Sequence, residues 1–216
     1  LNDKLYCVVE NFLDPAEIKL LTNYTKLYHR FNSSDFDPVM NYDTAVYSDK
    51  VFESLMVAKN KLMNEICDKE LVPTYTYWRM YTNTATLKMH SDRPSCEYSV
   101  SVMIDSDKVP WPFIAGENSI LQKPGDAVIY KGCDLKHGRP EPYKGDYHAQ
   151  VFLHYVDKNG KNAEYIYDKR PFLEFTDIGM KHFCNNLFAI LVNFQKRFDP
   201  KVQKMVTKHT DELKTK

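Results

Sequence analysis

Short β-prone runs separated by turn residues occupy the chain from Val72 to Val156. Four runs stand out: TYTYWRMYT, EYSVSVMID, NSILQKPGDAVIYKG and YHAQVFLHYV. Several short strands at this spacing favour a sandwich or a barrel. Inside the third run, KPGD places a proline and a glycine where a turn needs them. The sequence therefore predicts a mainly β core.

Two helices are predicted ahead of these strands, packed on the outside of one sheet. The first begins at Pro15, because Asp14 can cap it and Glu17 occupies the capping-box position. The second is expected from about Ser48 to Asp68. Its apolar stripe at helical spacing consists of Val51, Phe52, Leu55, Leu62, Met63 and Ile66. The segment HRFNSSDFDPVMNYD, residues 29–43, is rich in Asn, Ser, Asp and Pro and predicts a loop.

A length of 216 residues suits one large domain. We expect residues 1–175 to form an α+β domain, in which helices support a β core. Residues 176–216 are expected to form a C-terminal helical extension, because MKHFCNNLFAILVNFQKRF carries enough apolar residues to dock on another surface. The Lys-rich end after Pro200 indicates a solvated helix with mixed charges.

Charge and cysteine usage exclude several classes of protein. Positive and negative side chains balance at 29 each, so the net charge does not indicate a polyanion binder. A nucleic-acid partner would need a local patch such as the Lys-rich end, for which a solvated helix is the favoured interpretation. The five cysteines are scattered without CxxC spacing, which favours a reduced compartment. The first residues lack the pattern of a secretory signal, and no run of about 18 apolar residues could span a bilayer. We expect a cytoplasmic protein without membrane contact.

One motif stands at the start of the second β-prone run. In LKMHSDRPSCEYSVSVMID, His90 and Asp92 are two positions apart, so they share a face of an extended segment. A second histidine, His137, follows two further predicted strands. Two histidines and one carboxylate form the facial triad of non-haem Fe(II) oxygenases, which leaves coordination positions open. Four thiolate or imidazole ligands would instead form a closed zinc site.

These segments together resemble the 2-oxoglutarate and Fe(II)-dependent oxygenase superfamily, in particular its prolyl-4-hydroxylase-like branch. The matching parts are VVENFLDPAEIKLL, RMYTNTATLKMHSDRPSCEYSVSVMI, QKPGDAVIYKGCDLKHGR and AQVFLHYV. The resemblance implies a double-stranded β-helix (jelly-roll) core with His90, Asp92 and His137 as metal ligands and catalytic residues. It also implies Fe(II), 2-oxoglutarate as cosubstrate and O₂, with ascorbate as an optional addition. The implied reaction hydroxylates a C–H bond and releases succinate and CO₂.

The resemblance also implies which residues hold the cosubstrate. Tyr81 matches a tyrosine that commonly donates a hydrogen bond to it. The family usually places an Arg or Lys shortly after the distal histidine, where this chain has Asp146, Tyr147 and His148. His148 would need a proton to bind a carboxylate as a cation.

Arg139 is the second candidate for that cation. It lies two positions after His137, shares its face on an extended strand and can bind a carboxylate through a planar fork. We favour Arg139 slightly over His148, and a surface salt bridge from Arg139 to Glu141 or another carboxylate is the alternative. Neutral hydrogen bonds to the cosubstrate can come from Gln150, Ser99 and Ser101.

Several other residues receive simpler interpretations. Trp111, between two prolines, is either a lid over the substrate or the staple of a loop. His154 is interpreted as an ordinary strand residue. Cys96 and Cys133 are expected to be buried small residues.

The sequence leaves the substrate open. The resemblance favours a prolyl or similar side chain in a protein or peptide, whereas a free amino acid or another small metabolite is an alternative. Repair of alkylated bases is disfavoured, because no R-x₅-R pair follows His137: the next arginine after Arg139 is Arg170. A non-catalytic jelly-roll module that binds a sugar or a metal is the alternative from a different class. The oligomeric state is not predicted.

Overall fold

The computed structural model describes residues 4–31, 36–37, 43–171 and 173. The chain divides into two units, Leu1–Leu173 and Glu174–Lys216, and all described residues belong to the first. The expected helical extension at 176–216 lies outside the described residues, so it stays a prediction.

Two helices and eleven strands are described within these ranges. The helices are α1 (Pro15–Phe31) and α2 (Lys50–Cys67). The strands are β1 (Tyr6–Val9), β2 (Phe36–Asp37), β3 (Asp43–Tyr47), β4 (Leu71–Tyr81), β5 (Leu87–His90), β6 (Tyr98–Ser106), β7 (Phe113–Ala115), β8 (Asn118–Ile120), β9 (Ala127–Lys131), β10 (His137–Arg139) and β11 (His148–Asp157). Short 3₁₀ turns occupy Pro94–Cys96 and Ala163–Lys169. None of the helices in the described ranges is both long and apolar enough to cross a membrane.

The strands form two antiparallel sheets. The larger has the order β1-β9-β6-β11-β4-β3-β2, and the smaller has the order β5-β10-β7-β8. Side chains of both sheets share an apolar cluster, in which Phe113 of β7 packs with Val128 and Tyr130 of β9. The architecture is the predicted jelly-roll core with supporting helices.

Alternation along β4 and β11 separates the two faces of the larger sheet. Trp78 and Val151 belong to the main apolar cluster, together with Phe52 and Met56 of α2. The neighbouring side chains on the same strands point to the opposite face, because successive strand residues alternate. This opposite face is directed toward the smaller sheet. Its side chains are Tyr75, Tyr77, Arg79 and Tyr81 of β4 and His148, Gln150, Phe152 and His154 of β11.

The first helix begins where its capping box predicted, and the second begins after Asp49, a cap that the sequence analysis did not single out. The backbone N–H of Glu17 donates to Asp14 Oδ1 at 2.8 Å, and that of Asp14 donates to Glu17 Oε2 at 2.9 Å, so the capping box is reciprocal. Asp49 caps α2 by accepting from Val51 N at 2.9 Å. The helix ends before Asp68, which adopts a left-handed φ of 50°.

The loop predicted at 29–43 is the main correction to the sequence analysis. Helix α1 continues to Phe31, a short strand β2 lies at 36–37, and β3 begins at Asp43. Strand β3 pairs with β4, as the register of Val46 with Trp78 records. Within the predicted loop, the pairing of Phe36 and Asp37 with β3 overrides a local composition that favours turns. The loop prediction for 32–35 and 38–42 lies outside the described residues.

Candidate metal centre

His90, Asp92 and His137 are brought together by two adjacent strands. His90 ends β5 and lies opposite His137, the first residue of β10. Asp92 follows β5, and its backbone N–H donates to Gly132 O at 2.8 Å. Asp92 Oδ1 lies 3.4 Å from His90 Nε2 and 3.5 Å from His137 Nε2. Each residue offers one ligand atom, and these three atoms lie within 4.8 Å of one another.

Backbone carbonyls determine which nitrogen of each imidazole carries the proton. Nδ1 of His90 contacts Lys88 O at 2.7 Å, and Nδ1 of His137 contacts Leu135 O at 2.9 Å. A carbonyl oxygen only accepts, so each Nδ1 carries the proton, and in the neutral ring Nε2 presents a lone pair. Two lone pairs and a carboxylate oxygen therefore converge on one point. Such a set of acceptors fits a cation.

The carboxylate of Asp92 stays ionised. Burial alone would raise its pKa, but the hydrogen bonds that His137 and His90 donate from Nε2, when those nitrogens carry a proton, outweigh burial and lower the pKa. With neutral rings, a bound cation would take the place of those protons. The same contact with Asp92 raises the pKa of His90. An ionised carboxylate with two imidazoles is the donor set of the Fe(II) facial triad.

A chain of hydrogen bonds to the second carboxylate oxygen, Oδ2, orients Asp92. Ser99 Oγ donates to Asp92 Oδ2 at 3.0 Å, and His154 Nδ1 lies 2.9 Å from Ser99 Oγ. Burial lowers the pKa of His154 to about 4, so its ring is neutral. His154 therefore acts on Asp92 through Ser99 and is not the ordinary strand residue that the sequence indicated. Its place on the inward face of β11 was the available signal.

Gly132 lets the segment that carries Asp92 pack closely. A Cβ at this position would collide with the side chain of Asp92 and the carbonyl oxygen of Cys96, and would approach Ser99 Oγ to 2.8 Å. The position requires glycine because of this close approach. Cys96 is buried as expected, whereas Cys133 is only half-buried, which corrects that prediction.

A cavity of about 170 Å³ opens onto the three ligands. Aromatic side chains dominate its wall. The lining residues are Tyr75, Tyr77, Arg79, Tyr81, Leu87, His90, Asp92, Tyr130, His137, Phe152 and His154.

Arg79 is a lining residue that the sequence analysis missed. Its guanidinium pairs with the buried Asp43 at 2.8 Å and lies 4.3 Å from the centre of the Tyr81 ring. Alternation with Tyr81 along β4 was the signal that could have placed it on this face.

Arg139 is fully buried and has only neutral partners. Its Nη2 donates to Gln122 Oε1 at 3.0 Å and to Gln150 Oε1 at 3.3 Å, while Nε donates to Trp111 O at 3.4 Å. In the described part of the chain no carboxylate pairs with this guanidinium. Burial lowers the pKa of Arg139 to about 10, which still leaves it charged at neutral pH. The alternative of a surface salt bridge with Glu141 is wrong.

The two glutamines that hold Arg139 have determined orientations. Arginine only donates, so Oε1 of each amide must face Nη2. Gln122 Nε2 donates to the backbone oxygens of Ser101 and Asp126. Gln150 Nε2 donates to Ser101 Oγ at 2.8 Å. Gln150 thus contacts the cation, Ser101 contacts Gln150, and Gln122 is an addition that the sequence analysis did not single out. That Gln150, Ser99 and Ser101 hydrogen-bond the cosubstrate stays a prediction.

Three buried polar atoms around Trp111 have no hydrogen-bond partner among the described residues: Arg139 Nη1, Tyr81 Oη and His148 Nδ1. The Trp111 ring lies 5.0 Å from the Tyr81 ring, 5.3 Å from that of His148 and 5.2 Å from the guanidinium. Burial raises the pKa of Tyr81, so its hydroxyl keeps its proton and can donate. Two unsatisfied donors beside a buried cation fit an anion with several acceptor atoms, such as a carboxylate.

A cationic His148 is not supported by the structure. Burial and the charge of Arg139 lower the pKa of His148 to about 3. Its Nε2 lies 2.9 Å from Gln150 Oε1 and must donate to it, which leaves Nδ1 as an acceptor. A neutral ring with a bare nitrogen cannot hold a carboxylate. The structure therefore favours Arg139 of the two predicted cations.

Trp111 is part of the wall and not an exposed lid. Its side chain is buried, and Nε1 donates to Glu141 O at 2.7 Å. The ring packs at 5.0 Å from Tyr143. The alternative interpretation, a staple that fixes the loop, describes these contacts.

Comparison with solved structures finds the same fold in proteins of low sequence identity. HygX from Streptomyces hygroscopicus, solved with nickel and 2-oxoglutarate, matches 73% of this chain and 85% of its own at 13% identity, with a TM-score of 0.57. The viral collagen prolyl hydroxylase of Paramecium Bursaria Chlorella virus-1, solved as a 2-oxoglutarate complex, matches 71% of this chain and 97% of its own at 12% identity and a TM-score of 0.54. A Pseudomonas putida prolyl-4-hydroxylase matches 71% and 94% at 11% identity and a TM-score of 0.55.

No protein-family model matches the sequence, and no curated protein sequence matches it. The likeness to solved structures therefore concerns the fold. The chain has the jelly-roll fold of 2-oxoglutarate and Fe(II) oxygenases, including prolyl hydroxylases, as its motifs predicted.

Proposed function

We propose that the protein is an Fe(II)- and 2-oxoglutarate-dependent dioxygenase that hydroxylates a C–H bond. His90, Asp92 and His137 would hold the metal through His90 Nε2, His137 Nε2 and Asp92 Oδ1. When bound, Fe(II) supplies the activation of O₂ that no side chain can provide. The carbonyl oxygens of Lys88 and Leu135 accept from Nδ1 of His90 and His137, and Ser99 donates to Asp92 Oδ2. These contacts keep the three ligand atoms oriented.

The observation that carries the proposal is the buried, unpaired guanidinium of Arg139 on the strand of His137. Residues two apart on a strand share a face, about 7 Å from one another along it. We infer that a dicarboxylate of the length of 2-oxoglutarate reaches from the metal ligands toward Arg139, past Tyr81 on the wall of the cavity. Its far carboxylate would accept from Arg139 Nη1 and Tyr81 Oη, the two donors beside Trp111 that lack a partner.

This pocket favours the enzyme over a non-catalytic binding module. A module that binds only a metal has no need of a buried cation beside the ligands, and burying an unpaired charge lowers stability. A sugar offers hydroxyl groups, which do not neutralise a guanidinium. A dianionic cosubstrate satisfies both the charge and the free donors.

For the substrate, we propose a prolyl or other side chain of a protein or peptide, with a free amino acid or small metabolite as the alternative. Two of the structural neighbours represent these classes: a viral collagen prolyl hydroxylase, and HygX, which was also solved with hygromycin B. The aromatic wall formed by Tyr75, Tyr77 and Phe152 suits a compact apolar ring or side chain.

Succinate formation tests the proposed function. The protein would be incubated in air with Fe(II), 2-oxoglutarate and ascorbate, with and without a proline-rich peptide. We expect succinate to form with the unsubstituted protein and to fall at least about 100-fold in Asp92→Ala, because a ligand is lost. The exposed Asp134→Ala is the matched control and should keep full activity. If Asp92→Ala forms succinate as fast as the unsubstituted protein, the proposed function is wrong.

A further inference from the structure

A second cavity, of about 540 Å³, lies away from the metal ligands. It is formed where β6 ends and β11 begins, and these ends are neighbours because Ser106 pairs in register with His148. The remaining wall comes from the segment before β7 and the turn between β8 and β9. The lining residues are Met103, Asp105, Ser106, Lys108, Val109, Pro110, Trp111, Leu121, Gln122, Lys123, Pro124 and His148.

The cavity has an apolar floor and an exposed apolar rim. Met103, Trp111 and His148 are buried at its base, whereas Leu121 is 64% exposed at its mouth. A concave, mostly apolar site of roughly 300–1,000 Å³ is the usual form of a small-molecule pocket. The exposed leucine beside such a cavity gains burial only when a ligand is present.

The charge at the mouth is positive. Asp105 is the acidic lining residue; Lys26 pairs with it at 2.6 Å, and the Tyr147 hydroxyl donates a hydrogen bond to it at 3.1 Å. The amines of Lys108 and Lys123 form no ion pair with any residue in the described ranges. Two unpaired ammonium groups beside an apolar floor complement a molecule with an apolar body and one anionic group.

Three lining residues also hold the buried guanidinium of Arg139. Gln122 Oε1 and Trp111 O accept hydrogen bonds from it directly. His148 donates to Gln150, the other amide that Arg139 contacts. A molecule that packs against these residues therefore touches the groups that position the guanidinium.

We propose that this second cavity binds a small amphiphilic anion, with an apolar body on Trp111 and Leu121 and a carboxylate or sulfonate at Lys108 and Lys123. The site is separate from the metal centre. Its occupant lowers the affinity of the pocket for 2-oxoglutarate, because a second negative charge shares the field of Arg139. Only this coupling rests on the proposed function, since binding in the cavity needs neither metal nor cosubstrate.

Two fluorescent probes test the binding. 1-Anilinonaphthalene-8-sulfonate has an apolar body and one sulfonate, and N-phenyl-1-naphthylamine has the same rings without the charge. Both would be titrated into the metal-free protein of 216 residues. We expect saturable binding of both probes, and the charged probe should lose at least about fivefold in affinity in the double variant Lys108→Gln/Lys123→Gln. The uncharged probe should bind that variant as it binds the unsubstituted protein.

Matched variants distinguish binding at this site from non-specific binding of the probes. Lys19→Gln/Lys61→Gln removes two exposed lysines of the helices and should leave the affinity for both probes unchanged. Leu121→Asp changes the apolar rim at an exposed position and should weaken both probes. If Lys108→Gln/Lys123→Gln and the helix variant bind the sulfonate equally well, the proposed site is wrong and the binding is adventitious.

The coupling is measured separately from the binding. The dissociation constant of 2-oxoglutarate, with Mn(II) at the metal site, should rise about threefold when the sulfonate probe is saturating, and not in Lys108→Gln/Lys123→Gln. An unchanged dissociation constant would overturn the coupling. If the unsubstituted protein with Mn(II) does not bind 2-oxoglutarate in the absence of probe, the proposed function is contradicted. The probe titration would still show whether the second cavity binds the anion.

Discussion

Arg139 holds a charge that no carboxylate in the described part of the chain neutralises, and it does so at 1% exposure. A buried charge without a counter-ion costs stability, so a guanidinium in this setting is explained by a ligand that supplies the missing charge. The surrounding amides are oriented to hold the side chain and leave Nη1 free. This setting supports the proposal that Arg139 binds an anion.

Replacing Arg139 by methionine should separate binding from stability. With Mn(II) at the metal site, calorimetry should show the dissociation constant of 2-oxoglutarate rise about 30-fold or more, since a buried charge partner worth at least about 2 kcal/mol is lost. The free energy of unfolding of the metal-free protein, measured in urea, should stay the same or increase. Lys136→Met, at an exposed cation of the preceding segment, is the control. Unchanged affinity for 2-oxoglutarate would show that Arg139 does not hold it.

The structure brings the three predicted ligand residues together, whereas the residues around them were harder to predict. His90, Asp92 and His137 form a motif, because one ion requires three particular ligands at particular places on two strands. Arg139 and His148 could not be ranked firmly, since the difference between them is burial and the hydrogen bonds of Gln150. Such facts depend on which side chains meet across the sheet and have no local signal.

At the scale of elements, the end of β9 determines where Asp92 lies. Gly132 accepts from the backbone N–H of Asp92 at 2.8 Å and allows the chains to touch. Its backbone conformation is not left-handed, so the need for glycine is one of space.

Gly132→Ala should therefore displace Asp92 and weaken metal binding. Metal titration should show about a tenfold or greater loss of affinity, as for other residues that orient a ligand. The control is Gly160→Ala, where the new Cβ would meet Asp157 Cβ at 2.9 Å in a turn that carries no metal ligand. That variant should keep its metal affinity. Equal metal affinity in both variants would refute the role given to Gly132.

Helices were predicted well because their ends carry local chemistry. The Asp14 and Glu17 capping box and the Asp49 cap begin α1 and α2 at the expected places, within two residues. Strands as short as β7 and β10 carry too few residues for an alternation to be recognised. Their hydrogen bonds are provided by partners distant in sequence, as β3 also illustrates.

For the molecule as a whole, two buried histidines make stability depend on pH. Burial lowers the pKa of His148 to about 3 and that of His154 to about 4. In the unfolded chain both would titrate near 6.5. Their contribution is complete above that pH and is lost as the pH falls, because the unfolded state then binds more protons. His90, whose pKa is raised by Asp92, works in the opposite direction.

The metal-free protein should therefore lose stability between pH 6.5 and 5. Each of the two histidines should cost about 2 kcal/mol of unfolding free energy over that interval. Urea unfolding at both pH values measures the loss. The double variant His148→Gln/His154→Gln should show a smaller pH dependence. A stability that rises on acidification through this range would contradict the buried, neutral state of both rings.

The fold of the whole described unit was predictable because four separate segments matched one family pattern in order. Together the four segments predicted the jelly-roll core, although no single segment predicted it alone. The second cavity had no comparable signal, since it is assembled from the ends of β6 and β11 and two connecting segments.

The central claim, that this fold holds Fe(II) and 2-oxoglutarate together, is tested most directly by anaerobic visible spectroscopy. Metal-free protein would be titrated with Fe(II) and then with 2-oxoglutarate, and metal content would be measured in parallel. We predict a weak visible charge-transfer band that needs both components and is absent in His137→Ala. Stoichiometric Fe(II) without any band at saturating 2-oxoglutarate would contradict the account.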